Sequence, residues 1–408
     1  MDGVEQQGLY PQFSLAERDR RWAAVRALMR AQKLDVIVVP NNTGHSTDFQ
    51  ANARYLSHVG GGGDADIAVV FPLDGEITAV ANQAKYHWFE AVQCWTKDVR
   101  EARRNYAKPT VERLKELGVE RGRIGITGLG AGTRTPLGTI LHGFWKAIRE
   151  AFPDAELVDA TSVLEQVRYV KSEEEIAVLA KSQEIIEKAV AAKIAFARPG
   201  VQDWEVWAEV MATLVKNGSE LPFHTHWVSG PKARHPMTLP SRRVLQRGDI
   251  ILNEIEASWI GYRAQAVQPV FVAVADPVYA EMMKVHREVY ARLLERLRPG
   301  ITLGEIRDLT EQLAVKFAPK TGPAAGATGS LNMHGRGAGD DGPLITRSQH
   351  RPEQLATRLQ ENMVFIFKPS LRSADGACEC VWGDTIVVTP QGGRRLGKRP
   401  HDIAIAGA

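Results

Sequence analysis

Histidines are scarce in this chain, eleven among 408 residues, and an imidazole is the side chain best suited to move a proton near neutral pH. His224 and His226 stand two apart in FHTHWVSG, so a strand there would present both on one face. His235 follows in KARHPM, and His334 lies in NMHGRG beside a glycine-rich run. Asp340 and Asp341 close that run, where they could serve acid/base chemistry, bind a cation or simply solvate a turn. Cys378 and Cys380 would also share a strand face, but two thiols are too few for a zinc site. GRGAGDDG contains the G-x-G-x-x-G spacing, yet it does not lead from a strand into a helix as a dinucleotide fingerprint does. Gly60 to Gly63 lack the following lysine and hydroxyl residue of a phosphate loop and read as a flexible loop. The tightest basic cluster, Arg394, Arg395, Lys398 and Arg399, reads as a solvated tail.

The elements that must position these groups fall into two sets. Residues 14–33 form an amphipathic helix with Ser14 as N-cap and Glu17 completing a capping box. LDVIVVP is a buried strand, and residues 66–81 read as two strands joined at Leu73-Asp74-Gly75. Helices near 104–118 and 136–152 alternate with the strands RIGITG and AELVDA, which predicts an α/β domain over residues 1–165. Residues 166–408 read as a second, α+β domain. Ser172 caps a long helix that carries Glu173, Glu174 and Glu175 in its first turn and stops at Pro199-Gly200. A helix over about 202–217 follows, then the strands HTHWVSG, DIILNEIEASWI and RAQAVQPVFVAV. Two further helices, near 276–298 and 303–318, precede the glycine-rich stretch 321–342 and the strands NMVFIFKPSL and DTIVVTP.

Three segments resemble the pita-bread family of creatinase, Xaa-Pro aminopeptidases, prolidases and methionine aminopeptidases. RYVKSEEEIAVLAKS is similar to the start of its catalytic domain, and VSGPKARHPMTLPSRRVLQRGDIILNEIEASWIGYRAQ to its first signature. NMHGRG and MVFIFKP are similar to its later histidine and glutamate segments. The resemblance implies an α+β pita-bread catalytic domain behind a smaller α/β creatinase-type N-terminal domain. Metal-dependent members hold two ions with two aspartates, a histidine and two glutamates, because paired hard cations need carboxylates to offset their charge. That pattern falls here on Glu254, Gln265, His334, Lys368 and a position near Gly383. An ammonium about 4 Å from a divalent ion costs about 8 kcal/mol at an effective dielectric near 20. The expectation is therefore no metal and no other cofactor.

What remains at those positions sets the functional expectation. His334, Glu254 and Lys368 are the expected catalytic groups, with Lys368 standing in for metal charge. Gln265, His226, His235 and Asp341 are expected to bind substrate. The resemblance to creatinase implies a metal-independent hydrolase that cleaves a C–N bond in a small guanidino, ureido, cyclic amidine or amide compound. A lyase acting on a small zwitterion, a non-catalytic binding or scaffold protein, and an Xaa-Pro peptidase are the alternatives. A dead pocket should drift to apolar filler, whereas this one keeps four polar groups. The family also implies a homodimer in which a second subunit covers the pocket. A net charge of +3, spread along the chain, gives no case for nucleic acid. With no apolar run near 20 residues, no signal-peptide pattern and only three cysteines, no membrane association and a cytoplasmic location are expected.

Overall fold

A computed structural model describes residues 11–41, 51–59, 66–83, 95–221, 226–234, 238–346 and 352–407. The chain forms two compact units, one of residues 1–169 with Ala338–Gly342, the other of residues 170–337 with 343–408. The expected joint at residue 165 thus lies inside a helix, and the change of unit comes four residues later.

In the first unit, α1 (Leu15–Gln32), β1 (Val36–Val39) and α2 (Ala51–Ser57) lead to β2 (Ile67–Pro72), β3 (Thr78–Ala81) and β4 (Asp98–Glu101). Then come α3 (Ala107–Glu116), β5 (Arg123–Ile126), α4 (His142–Ala151), β6 (Glu156–Asp159) and α5 (Thr161–Tyr169). The six strands make one mixed sheet in the order β4-β3-β2-β1-β5-β6. β2 and β3 pair antiparallel around Asp74-Gly75, as the turn chemistry predicts. Alternate residues Val36, Val38, Ile124 and Ile126 point into a core closed by Leu114, Phe144 and Ile148 of α3 and α4. Ser14 caps α1 by accepting from the Glu17 amide at 3.1 Å. The other half of the expected capping box does not form, because the Glu17 carboxylate turns to Arg20 and Arg21 instead.

The second unit opens with α6 (Glu173–Phe196) and α7 (Asp203–Lys216), followed by β7 (Trp227–Gly230), β8 (Ile250–Trp259), β9 (Tyr262–Val267) and β10 (Val270–Val272). Helices α8 (Pro277–Arg296) and α9 (Leu303–Phe317) come next, then β11 (Thr328–Gly335), β12 (Leu344–Ile345) and α10 (Pro352–Leu355). The chain ends in β13 (Val364–Arg372), β14 (Glu379–Val381), β15 (Asp384–Thr389), β16 (Gly392–Arg395) and β17 (Ala404–Ala406). α6 starts in a complete capping box between Ser172 and Glu175. One sheet runs β17-β10-β8-β7 with β9 paired to β8, the other β12-β11-β13-β15-β16 with β14 paired to β13. A bridge between Val267 and Gly383 joins them.

Each sheet has one apolar and one polar face, and strand alternation decides which residue lies where. On β8 and β9, Ile255, Ala257, Ala264 and Ala266 pack under α6 and α7 with Ile185, Ile186, Val206 and Val210. On β11, the buried Met333 lies between Asn332 and His334; it pairs with Phe367 of β13, whose ring meets Tyr290 of α8. The glycine-rich stretch contains strand β11, which composition alone disguises. A β-carbon at Gly329 would stand 2.7 Å from the Ala314 methyl of α9, so glycine here permits helix and strand to touch.

One expectation changes. Arg395 and Arg399 of the basic cluster are no solvated tail, although Arg394 and Lys398 are exposed. Arg399 is 7% exposed and donates to the Gly383 carbonyl at 2.9 Å and to Gln268 Oε1 at 2.8 Å. Arg395 donates to the buried Asp384 carboxylate at 3.0 Å. Burial pushes the Asp384 carboxyl up, against the opposing pull of Arg399 and Arg395.

Candidate active site

The polar faces carry the chemistry. β8 and β9 are joined by a two-residue loop, Ile260-Gly261, since Trp259 pairs directly with Tyr262. Both loop residues have positive φ, 43° and 82°, the type I′ pattern whose twist suits a hairpin. This fixes the register, and the register puts Glu254, Glu256, Ser258, Arg263 and Gln265 on one face. In the second sheet, His334 lies opposite Ile366 and Asn332 opposite Lys368, again on a shared face.

Lys368 Nζ donates to Glu254 Oε1 at 2.7 Å, and Gln265 Nε2 donates to Glu254 Oε2 at 2.8 Å. Glu254 is 6% exposed, Lys368 3% and Gln265 not at all. Both carboxylate oxygens are thus taken by donors from two different strands, and the polar faces of the two sheets meet at this pair. His334, also buried, sits two residues along β11 from Asn332. Its Nδ1 lies 3.3 Å from the Gly335 carbonyl oxygen. A carbonyl only accepts, so Nδ1 carries the ring proton in that contact and Nε2 is the basic nitrogen.

Gly383 explains why the lysine fits. A β-carbon there would lie 2.6 Å from Lys368 Cγ and 2.9 Å from the Phe367 carbonyl oxygen. The lysine stem fills the space that a side chain at 383 would need, so glycine at 383 and lysine at 368 form one packing unit. Beside it on the same face, Glu256 accepts from Arg263 Nη1 at 2.7 Å and from Arg336 Nη2 at 2.5 Å, all three residues being buried. Sequence reasoning missed this trio, as it missed Asn332. The signal was present in the spacing of Glu254 and Glu256, two apart on β8, and of Asn332, His334 and Arg336, two apart along β11 and the residue after it.

The other expected substrate groups are placed differently. His226 is exposed, and its carbonyl accepts from the Glu254 amide at 3.0 Å. His235 lies outside the described residues. Asp341 belongs to the first unit, where it is buried and held by Arg168, which also donates to Asn52 Oδ1 at 2.6 Å. Nearby, burial raises the Glu165 carboxyl despite donation from the Thr133 amide and hydroxyl.

Comparison with known proteins places these features in a family. Residues 177–390 match metallopeptidase family M24, and residues 21–170 match the creatinase/prolidase N-terminal domain. An Xaa-Pro dipeptidase of Pyrococcus horikoshii is 27% identical over 282 residues, 68% of this chain and 75% of that protein. A creatinase of a Bacillus species is 22% identical over 409 aligned positions, 97% of this chain and 89% of that one. The crystal structure of an X-Pro aminopeptidase from Thermotoga maritima superposes with a TM-score of 0.75 at 21% identity, covering 94% of this chain and 99% of that chain. That likeness establishes the pita-bread fold with its creatinase-type N-terminal domain.

The metal that such a family implies does not fit these residues. Of the five ligand positions, one holds a carboxylate, and that carboxylate is already bonded to an ammonium and an amide N–H. A cation at Glu254 would have to displace Lys368 from a buried contact and then share space with its charge. Among the described residues, no three His, Cys, Asp or Glu side chains converge to hold a metal ion.

Proposed function

Because this chain belongs to metallopeptidase family M24, we propose that it is a hydrolase of a C–N bond in a small polar molecule, working without the family's metal centre. One observation carries the reading, the Lys368–Glu254–Gln265 contact that occupies the ligand positions. In this scheme His334 Nε2 takes a proton from water as its oxygen bonds to the substrate carbon. The Lys368 ammonium polarises the atom double-bonded to that carbon, a task otherwise suited to a cation. The C–N bond then breaks, and the departing nitrogen takes the proton from His334. Glu254 keeps Lys368 charged and aimed.

Two substrate classes share this chemistry. The Xaa-Pro dipeptidases among the relatives favour a dipeptide ending in proline, and the creatinase favours a guanidino or ureido compound. The test is hydrolysis of glycyl-proline, creatine and N-carbamoylglycine by protein treated with EDTA, with metal content measured by elemental analysis. The reading expects undiminished turnover of at least one substrate at substoichiometric metal, and a fall of about 100-fold or more in Lys368→Met. Two moles of divalent metal per chain, with activity lost on chelation and restored by the ion, would overturn it.

A further inference from the structure

The side-chain oxygen of Gln265 is an acceptor that no described residue satisfies. Its side chain is wholly buried, and its Nε2 is fixed against Glu254 Oε2 at 2.8 Å. Turning the amide over would set oxygen against carboxylate, so Glu254 dictates the orientation. Oε1 must then point away from Glu254, and it is buried with no hydrogen-bond partner. An unpaired buried acceptor is destabilising, and a site retains one when a ligand supplies the donor. Asn332 repeats the pattern on the facing sheet. It stands opposite Lys368, and its Oδ1 is likewise buried without a donor.

Resting on the hydrolase reading above, we infer that Gln265 Oε1 is a specificity-determining acceptor for an N–H of the substrate, and that the substrate class is a neutral ureido or carboxamide compound. Two features choose a neutral donor over a cationic one. Lys368 already places a positive charge on the carboxylate that Gln265 also contacts, and both oxygens of Glu254 are already bonded. A guanidinium or ammonium there would meet a like charge, whereas a neutral N–H can reach the Gln265 acceptor without that repulsion. An Xaa-Pro peptide bond has no N–H on its scissile nitrogen, so it leaves Gln265 Oε1 without a donor from the bond being cleaved.

Calorimetric titration with a matched pair of probes tests this. N-carbamoylglycine offers N–H donors, and N-(dimethylcarbamoyl)glycine has lost those of its terminal nitrogen. The unaltered protein should bind the first about 10–100-fold more tightly. Gln265→Met keeps the volume, removes the acceptor and should bind both equally weakly. Equal affinity of the unaltered protein for the pair, or no binding of either, overturns the inference whatever the variant does. Discrimination that survives Gln265→Met overturns it too, since the acceptor then lies elsewhere. Turnover separates this from the reading beneath it. Metal-free hydrolysis of glycyl-proline with no ureido discrimination sinks the inference alone, while discrimination without hydrolysis of any substrate sinks the hydrolase and leaves the binding site.

Discussion

A carboxylate buried as deeply as Glu254 is tolerated because an ammonium lies 2.7 Å away, so the two charges should be judged together. Lys368→Met is expected to lower unfolding stability by about 3–5 kcal/mol, because it strands a buried charge. Adding Glu254→Gln should recover most of that loss, since neither charge then needs to be kept from water. Urea denaturation of both single variants and the double variant measures the coupling, and a double variant no better than Lys368→Met would show that the pair is not interdependent. The same double variant should be inactive despite folding. At Gly383, alanine should cost about 1–3 kcal/mol, because its methyl meets both the lysine stem and the Phe367 carbonyl oxygen. A Gly383→Ala melting temperature equal to the parent's would remove the packing unit proposed for positions 368 and 383.

Among the elements, the β8–β9 hairpin does most to place the site, and it does so through an unfavourable residue. Ile260 holds φ at 43°, a conformation that a β-branched side chain resists. Ile260→Asn would give the Asn-Gly turn that this geometry prefers, with an expected gain of about 1 kcal/mol seen as a higher melting temperature. A lower one would mean that the half-buried isoleucine contributes more by packing than the turn loses. This hairpin was largely readable beforehand, because alternation along DIILNEIEASWI and the ten-residue gap between Glu254 and Gln265 are local in sequence. So was α6, whose Ser172–Glu175 capping box is complete. The Asn332–Lys368 pairing was not readable, since that register joins strands some thirty residues apart and no turn encodes it. Nor was the fate of Arg399. A cluster of basic residues looks solvated until its partners, Gln268 and Asp384, are brought beside it by the fold.

For the molecule as a whole, acid should be the weak direction. His286 is fully buried, with Nε2 donating to the Pro369 carbonyl at 2.8 Å and Nδ1 2.9 Å from His401 Nε2. Burial holds the His286 pKa down at about 4, and burial, with His286, Arg395, Arg287 and Arg399 nearby, holds His401 at about 2. Unfolded histidine titrates near 6.5, so between there and about 4 the unfolded chain binds protons that the native one refuses. Stability is therefore full above pH 6.5 and falls as pH drops toward 4, by on the order of 3 kcal/mol for His286. Urea midpoints from pH 7.5 to 4.5 should decline in the parent and less steeply in His286→Gln; parallel curves would clear the histidine of responsibility. Among the described residues no helix is long and apolar enough to cross a membrane. The grouping of Ala338–Gly342 with the first unit has a consequence for inheritance. A genetic exchange at residue 170 would look like a clean swap of modules, but it would transplant Arg168 and leave Asp341 behind. The two halves of the gene are bound to a shared history by five residues, and a chimera joined at that point should fail unless the short segment travels with its arginine.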